Sequence, residues 1–496
     1  MNIITIKNLL LLEPLNTPQE ILTKDQGDFK DEKRWKLFAY FAGLVRKKFK
    51  ISLTSLHSIP LGLAQISSIV KEDGVSTAHI PFILDSIKRY LPDKEIEAKI
   101  SKFDYDEVWL SVGSPEAAHE VLRYAKIVKK INSDTPIMVG GVLPSMYPDF
   151  FLKNEEIDCL IRGPAEVAVK QYVKNSIKNS IQGFCYKTDG KMNIAPMYAI
   201  EPDLSKIPPY DFEGLFIEDY IKDNYFCNLQ ASRGCSFNCP FCTHPKFWGL
   251  TPKYRPLDHI KKEMRMVEDY GCKAGYFIDS TFTLNKNWLS KFVDAFNDEG
   301  ITIKFSVQTR ADMFTVEAAK LLGQTEIKLV WFGGESGSPK ILKRLRGKDS
   351  DGGREHIKSL NKALKIAKEY NFLCGSSWMI GLPGEDKNTI QESRKVIFDL
   401  TKAGMDICDI RILQIFPGTD YWEDPQKWGL KIPQKENITS INTPWYKYAG
   451  HETEELTSEE IIAEANHIRD DLLDFYLSEL KNERKRRKDV KKIKKN

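Results

Sequence analysis

The sequence lacks any run of the ~18 apolar residues needed to cross a bilayer. Its apolar opening stretch, Leu9 to Leu12, is stopped by Glu13 and Pro14. Neither a membrane span nor a signal peptide is expected, and the cytoplasm is the expected compartment. Charge of one sign is lacking too: 73 Lys plus Arg stand against 69 Asp plus Glu, a formal +4. Ten basic and two acidic residues fall between 481 and 496, which leaves the preceding body at −4. The body therefore offers no broad basic surface, and no stable nucleic-acid partner is expected. The basic tail reads as a solvated, frayed terminus, with peripheral contact to RNA or an anionic membrane as the alternative. With 30 glycines, 24 prolines and 42% hydrophobic residues, the chain is neither fibrous nor disordered. Nine cysteines, an odd count with three of them between 235 and 242, give no disulfide framework and point to reduced thiols. A length of 496 residues predicts two to four domains, at roughly 150 residues each.

What is present first is alternation. In residues 1–200 short apolar runs alternate with helical periodicity, the pattern of a parallel sheet with helices on both faces. Strands are predicted over 6–13, 108–112, 136–139 and 157–161, a polar insertion over 17–33, and helices over 34–49 and 62–72. The last three strands end in turns bearing Gly or Pro, and open parallel sheets bind ligands outside such carboxyl ends. Residues 201–212 hold three prolines without periodicity and read as a linker. Over 213–430 the alternation returns with a longer period. Strands are predicted over 227–231, 274–278, 303–308, 329–332, 373–380 and 410–415, with helices over 257–270, 288–299, 355–370 and 389–403. Six strand-helix units favour a partial or full α/β barrel with its chemistry at the strands' carboxyl ends. Residues 431–496 read as a loop-rich segment and a helix over 458–479 that caps or packs on the barrel.

Cys235, Cys239 and Cys242, in CSFNCPFC, follow the first strand of the second domain. Three thiolates on one tight loop can reach three corners of a cubane, and a [4Fe-4S] cluster takes four ligands, so one iron would stay open. The other reading is zinc, completed by Cys227 or His244, in a binding module rather than an enzyme. With its aromatic residue before the last cysteine, this segment resembles the signature of radical S-adenosylmethionine (SAM) enzymes. The resemblance implies that the open iron chelates SAM and that the reduced cluster cleaves it to methionine and a 5′-deoxyadenosyl radical. It also implies an electron donor such as ferredoxin or flavodoxin. Residues 332–338 (FGGESGS) are similar to the family's SAM-pocket segment, 378–385 (WMIGLPGE) resemble the turn beside the adenine, and 307–310 (VQTR) end the third strand.

That likeness implies SAM contacts from Phe241, Gln308, Arg310, Gly333, Gly334, Glu335 and Ser336. Glu335 would accept from a ribose hydroxyl or the amino group, and Arg310 would hold the methionine carboxylate. Each segment alone also has an ordinary reading as a strand-to-helix turn, a first-turn acid or a surface ion pair. Asp279, ending the second strand, positions SAM or substrate, or caps a helix. Residues 245–248 (PKFW) line the cavity mouth or belong to the core.

Residues 58–64 (SIPLGLA), 109–115 (WLSVGSP), 139–148 (VGGVLPSMYP) and 158–166 (DCLIRGPAE) resemble the cobalamin-binding half of the radical SAM enzymes that pair two modules. The resemblance implies cobalamin contacts from Pro60, Leu61, Ser111, Val112, Gly113, Gly140, Gly141, Pro144, Gly163 and Glu166. The chain departs from the pattern twice: no Asp-x-His-x-x-Gly supplies a histidine below cobalt, and Gly-Pro-Ala-Glu at 163–166 replaces the commoner Gly-Glu-Gly-Glu. Either backbone and apolar loops hold cobalamin without a histidine, or the domain kept its fold and lost its ligand. With cobalamin, the resemblance implies methylation or a related modification of an unactivated carbon: one SAM methylates the corrinoid, and a second yields the radical that activates the substrate. Without it, carbon-carbon or carbon-sulfur bond formation is the alternative, with lipid among the substrates. Small-molecule, lipid and peptide substrates all stay open. The expected fold class is α/β: a Rossmann-like, flavodoxin-like sheet domain, a (β/α)6 partial TIM barrel and a C-terminal helical segment.

Overall fold

Four consecutive leucines leave β1 (Asn8–Leu12) no polar side to turn to water, and the strand is buried on both faces. It pairs in parallel with β2 (Ser76–Ile80) and β3 (Glu107–Ser111), Leu10 lying between Ala78 and Val108. Leu9 and Leu11 pack with Leu63 and Val70 of the helix Leu61–Glu72. Leu10 and Leu12 pack on the opposite face with Val121 and Tyr124 of the helix Ala118–Ile131. β4 (Ile137–Gly140) and β5 (Cys159–Ile161) continue the parallel ladder, and β6 (Phe184–Thr188) and β7 (Lys191–Asn193) add an antiparallel hairpin. The order β2-β1-β3-β4-β5 reverses direction between β1 and β3, the point where doubly wound sheets open a ligand crevice. The expected parallel sheet is present, extended by β2, β6 and β7.

The computed structural model describes residues 6–12, 40, 59–80, 91–113, 115–174, 180–197, 203–215, 226–346, 352–433 and 449–493. The insertion expected over 17–33 and, Tyr40 apart, the helix expected over 34–49 lie outside the described residues.

After β8 (Phe226–Leu229) comes a small antiparallel ladder of β9 (Ser232–Arg233) and β10 (Lys253–Tyr254). β11 (Ala274–Phe277), β12 (Lys304–Thr309), β13 (Ile327–Glu335), β14 (Leu373–Ile380) and β15 (Ile407–Ile412) follow, each behind a helix. The six long strands pair in parallel in the order β8-β11-β12-β13-β14-β15, a partial barrel in which β8 and β15 do not meet among the described residues. One face of each strand packs on the helices, as Phe277 on Phe292 and Phe305 on Phe296. The alternate residues face the lumen, which is why β12 alternates buried and half-buried positions throughout.

The segment read as a linker is packed between the domains. Tyr210, Phe212 and Leu215 are buried, and Asp211 takes Lys71 at 2.5 Å and the Ser67 hydroxyl at 2.5 Å. The last helix, Ser458–Ile493, runs past the end expected at 479 into the basic tail, because that stretch holds helix-forming Lys and Arg and neither Gly nor Pro. It covers the free edge of β15: Arg469 Nε and Nη2 donate to Ile410 O at 2.9 and 2.8 Å, and Cys408 N–H donates to the Tyr476 hydroxyl at 3.1 Å. Among the described residues no helix is long and apolar enough to cross a membrane. Tyr476→Phe strands the buried Cys408 N–H and should lower the unfolding free energy by about 1–3 kcal/mol, read by urea denaturation.

Candidate active site

β8 delivers the chain to residues 230–233, where the polar groups are buried and held by side chains from three directions. Asp279, just beyond β11, accepts from Ala231 N–H at 3.0 Å and from the Ser232 hydroxyl at 2.5 Å. Burial pushes its carboxyl up to about 6 against those donors. Asp279 is thus the clasp of this turn and not a helix cap; the following helix is capped by Asn285. Arg255 grips Glu263 with both Nη atoms, at 2.7 and 2.5 Å, and Nη1 also donates to Gln230 O at 2.8 Å. Gly234 has φ +86°, and a Cβ there would sit 2.9 Å from Thr251 O, so glycine is required next to the first cysteine.

From that point Cys235 N–H donates to Gly249 O at 3.2 Å, and Cys242 N–H donates to Cys239 O at 3.1 Å, which folds the three thiols into one tight loop. Burial, with Glu335 adding to it, pushes the Cys239 thiol up to about 11. Burial, opposed by a hydrogen bond from the His244 backbone, pushes Cys242 up to about 12. Protons therefore stay on these sulfurs at neutral pH until iron displaces them. Among the described residues no three His, Cys, Asp or Glu side chains converge tightly enough for a single metal ion, which a zinc site demands. A cubane presents its irons at separate corners and tolerates the wider trio. Of the two fourth ligands of the zinc reading, Cys227 is buried against Cys272, and His244 Nδ1 lies 2.7 Å from the Ser280 hydroxyl.

The lumen above the loop is polar. Gln308, Trp331, Gly333, Glu335, Ser377 and Arg411 lie on its face, with Trp331 Nε1 donating to the Ser377 hydroxyl at 2.7 Å. The β13–β14 register shifts between Gly333 and Glu335, and Glu335 takes the left-handed φ of +60°. A bulge and a strained residue together re-aim this carboxyl. A Cβ on Gly333 would come within 2.4 Å of Glu335 Oε1, so the glycine gives that side chain its space. Burial pushes Glu335 up to about 7, while Arg346, Arg310 and Arg411 pull it back.

Between the two domains lies a cavity of about 370 Å³, in the range of cofactor sites. The carboxyl ends of β3, β4 and β5 form one side, through Ser111, Gly113, Gly140, Gly141, Gly163 and Glu166. Leu61 closes an end, and Asn228, Gln230, Phe247 and Trp248 face them from the barrel. Asn228 binds the Ile59 backbone both ways, accepting its N–H at 2.5 Å and donating to its carbonyl at 3.0 Å. Glu166 Oε1 pairs with Arg233 Nη1 of β9, both side chains buried. Glu166 Oε2, equally buried, has no hydrogen-bond partner among the described residues. Among the described residues that line this cavity there is no histidine.

Residues 229–397 match the radical SAM superfamily, and residues 54–173 match the B12 binding domain. An uncharacterized methyltransferase of Pyrococcus horikoshii is 30% identical over 371 residues, 73% of this chain and 78% of that protein. A putative methylthiotransferase of Methanocaldococcus jannaschii is 24% identical over 327 residues, 64% of this chain and 68% of that one. The chain belongs to the radical SAM superfamily. In fold it is similar to the radical SAM methyltransferase TsrM of Kitasatospora setae, solved with cobalamin and a [4Fe-4S] cluster bound. The TM-score is 0.65 and the identity 16%, over 86% of this chain and 77% of that one.

Measured against this radical SAM frame, the expected SAM residues separate. Gln308, Gly333 and Glu335 reach the lumen. Gly334 turns the other way, where a Cβ would strike the Trp378 ring at 2.6 Å. Ser336 is fully buried, its hydroxyl 3.0 Å from that of Ser393. Arg310 is paired with Asp312, which accepts from its Nε and Nη2 at 3.0 and 2.6 Å, and its guanidinium lies 3.6 Å from the Phe237 ring centre. It packs on the cysteine loop through Phe237. The Phe241 ring packs against the Ile341–Leu342 cluster.

In the sheet domain, Pro60, Val112 and Pro144 do not line the cavity. Val112 is buried behind it and accepts from Leu143 N–H at 3.2 Å. Trp331, Ser377 and Arg411 were missed, although the period-2 alternation of their strands marks them. Arg233 gave no local signal, since its partner lies 67 residues away.

Arg233→Met leaves the Glu166 carboxylate buried and unpaired and should cost about 3–5 kcal/mol in denaturant unfolding, with much of the loss recovered in the Glu166→Gln/Arg233→Met double variant. Glu385, at the end of the WMIGLPGE turn, accepts from Gly381 and Leu382 N–H at 2.7 and 3.0 Å, and burial pushes it up to about 8. A folded value above the unfolded one means stability falls as pH rises from about 4.5 to 8 and levels off beyond. Thermal melts between pH 5 and 9 should lose that part of their slope in Glu385→Gln.

Proposed function

We propose that this radical SAM enzyme is cobalamin-dependent and transfers a methyl group to an unactivated carbon. The observation that carries the reading is the facing of two sites: the cysteine loop runs into Phe247 and Trp248, and those rings wall the glycine-lined cavity of the B12-binding domain. Bound there, the cluster with SAM supplies a 5′-deoxyadenosyl radical, and the corrinoid supplies a transferable methyl group.

The chain's own part is placement. Cys235, Cys239 and Cys242 would hold three corners of the cluster and leave the fourth to SAM. Glu335 would accept from SAM in the lumen, its carboxyl aimed by the bulge and by Gly333. Ser111, Gly113, Gly140, Gly141 and Gly163 would let the corrinoid approach backbone closely, and the buried Glu166 Oε2 would accept from an amide of its periphery. Among the described residues of the wall none is a histidine that could offer cobalt an imidazole. The likeness to a methyltransferase at 30% identity supports methyl transfer. A reduced ferredoxin or flavodoxin would deliver the electron, and the substrate would be a small molecule.

Anaerobic reconstitution should give about four irons and four sulfides per chain, retained hydroxocobalamin with a base-off spectrum, and 5′-deoxyadenosine from SAM. Alanine at Cys235, Cys239 or Cys242 should abolish cleavage, and Cys227→Ala should leave it intact. A loaded enzyme that makes 5′-deoxyadenosine yet retains no corrinoid defeats the methylase reading.

A further inference from the structure

A second cavity of about 150 Å³ lies between the B12-binding domain and the cysteine loop. We infer that it receives the reacting part of the substrate, and that this part is an uncharged hydrocarbon or aromatic group about the size of one six-membered ring. The inference rests on the methylase reading and adds the substrate class to it.

Position comes first. Leu143 and Met146, on the short helix behind β4, form one wall; Phe247 and Trp248 form the second; Phe416, beyond β15, forms the third. Phe247 and Trp248 wall the larger cavity as well, so the two spaces adjoin across these rings. Thr243, the residue after Cys242, lines the smaller one. A group seated there stands between the corrinoid cavity and the cluster loop, where both would have to reach it.

Chemistry comes second. Among the described residues no carboxylate, ammonium or guanidinium lines the chamber, and its polar side chains are Thr243 and His244, whose Nδ1 lies 2.7 Å from the Ser280 hydroxyl. The nearby charges are turned away and paired, Lys246 with Asp420 at 2.8 Å and Arg233 with Glu166. A charged group entering would lose its water and find no counter-charge, whereas apolar surface is favoured. Size follows from volume, since a dry apolar cavity of about 150 Å³ accommodates benzene. Expansion is blocked on one side, because Gly418 (φ +81°) brings the post-β15 turn so close that a Cβ would lie 2.4 Å from Met146 Sδ.

The test uses enzyme loaded with cluster, SAM and hydroxocobalamin, so that the larger cavity is filled, and follows ligand-observed 19F NMR. Fluorobenzene should bind, and 4-fluorobenzoate and 4-fluorobenzylamine should bind at least tenfold more weakly. Leu143→Trp and Met146→Trp, which fill the chamber, should each weaken fluorobenzene at least tenfold. Phe416→Ala, which enlarges it, should bind 1-fluoronaphthalene at least tenfold more tightly than the parent. Equal binding of a charged probe overturns the inference, as does unchanged fluorobenzene binding in both filled variants or unchanged naphthalene binding in the enlarged one. Iron and corrinoid analysis of the same samples separates the two levels. Protein that takes up no corrinoid defeats the methylase reading, while loaded protein without the selectivity defeats the substrate class alone.

Discussion

Buried charge around residues 230–233 fixes where the cysteine loop begins, and the active face is built outward from that point. Asp279 holds two successive residues of the turn, Arg255 and Glu263 brace its carbonyl side, and Arg233 crosses to Glu166 in the other domain. Such pairs add little net stability, because desolvation offsets most of their attraction. Their effect is on geometry: any conformation that parts them leaves a charge in an apolar interior. A cluster loop that must hold three thiols in one arrangement gains more from that penalty than from extra hydrophobic packing.

The Glu166–Arg233 contact gives the domain interface the same logic. Arg233 also lies 4.7 Å from the Trp248 ring centre, and Trp248 walls both cavities. The charge is therefore stacked on a ring that lines the chamber, and Arg233 is not itself among the chamber's lining residues. Polar and apolar chemistry are separated over a few ångströms: glycines and Glu166 where a corrinoid would bind, rings and aliphatic side chains where carbon chemistry would occur, and arginines outside the cysteine loop. A radical site benefits from such separation, since water and abstractable hydrogens are kept from the reactive centre by what surrounds it.

The parts of this architecture readable from sequence are those with a period or a short spacing. Alternation located every long barrel strand, and the cysteine spacing located the cluster loop, because both depend on residues near one another in the chain. The surroundings of individual side chains depend on more than spacing. Ser336 and Arg310 sit in the expected segments, but each is held by a partner, Ser393 or Asp312, whose position depends on the packing of a helix or a turn. Local sequence shows that a polar residue ends a strand; it does not show whether a neighbour has already taken its hydrogen bonds. The same limit hid the interdomain ion pair. The continuation of the last helix was decided by helix propensity, which the charge run itself obscured.

Leaving the barrel at six strands has a consequence for Glu335. A closed eight-stranded barrel fills its interior with layers of branched side chains. Here β8 and β15 do not join among the described residues, the outer edge of β15 is satisfied by Arg469 and Tyr476, and the lumen keeps Gln308, Glu335 and Arg411 on its face. Exclusion of water from that polar lumen thus cannot come from the barrel alone. It falls to the sheet domain, whose strand ends lie over the mouth and are held there by Asn228 and by the Glu166–Arg233 pair. Glu335 owes its left-handed conformation to the bulge and its space to Gly333, and burial raises its carboxyl pKa.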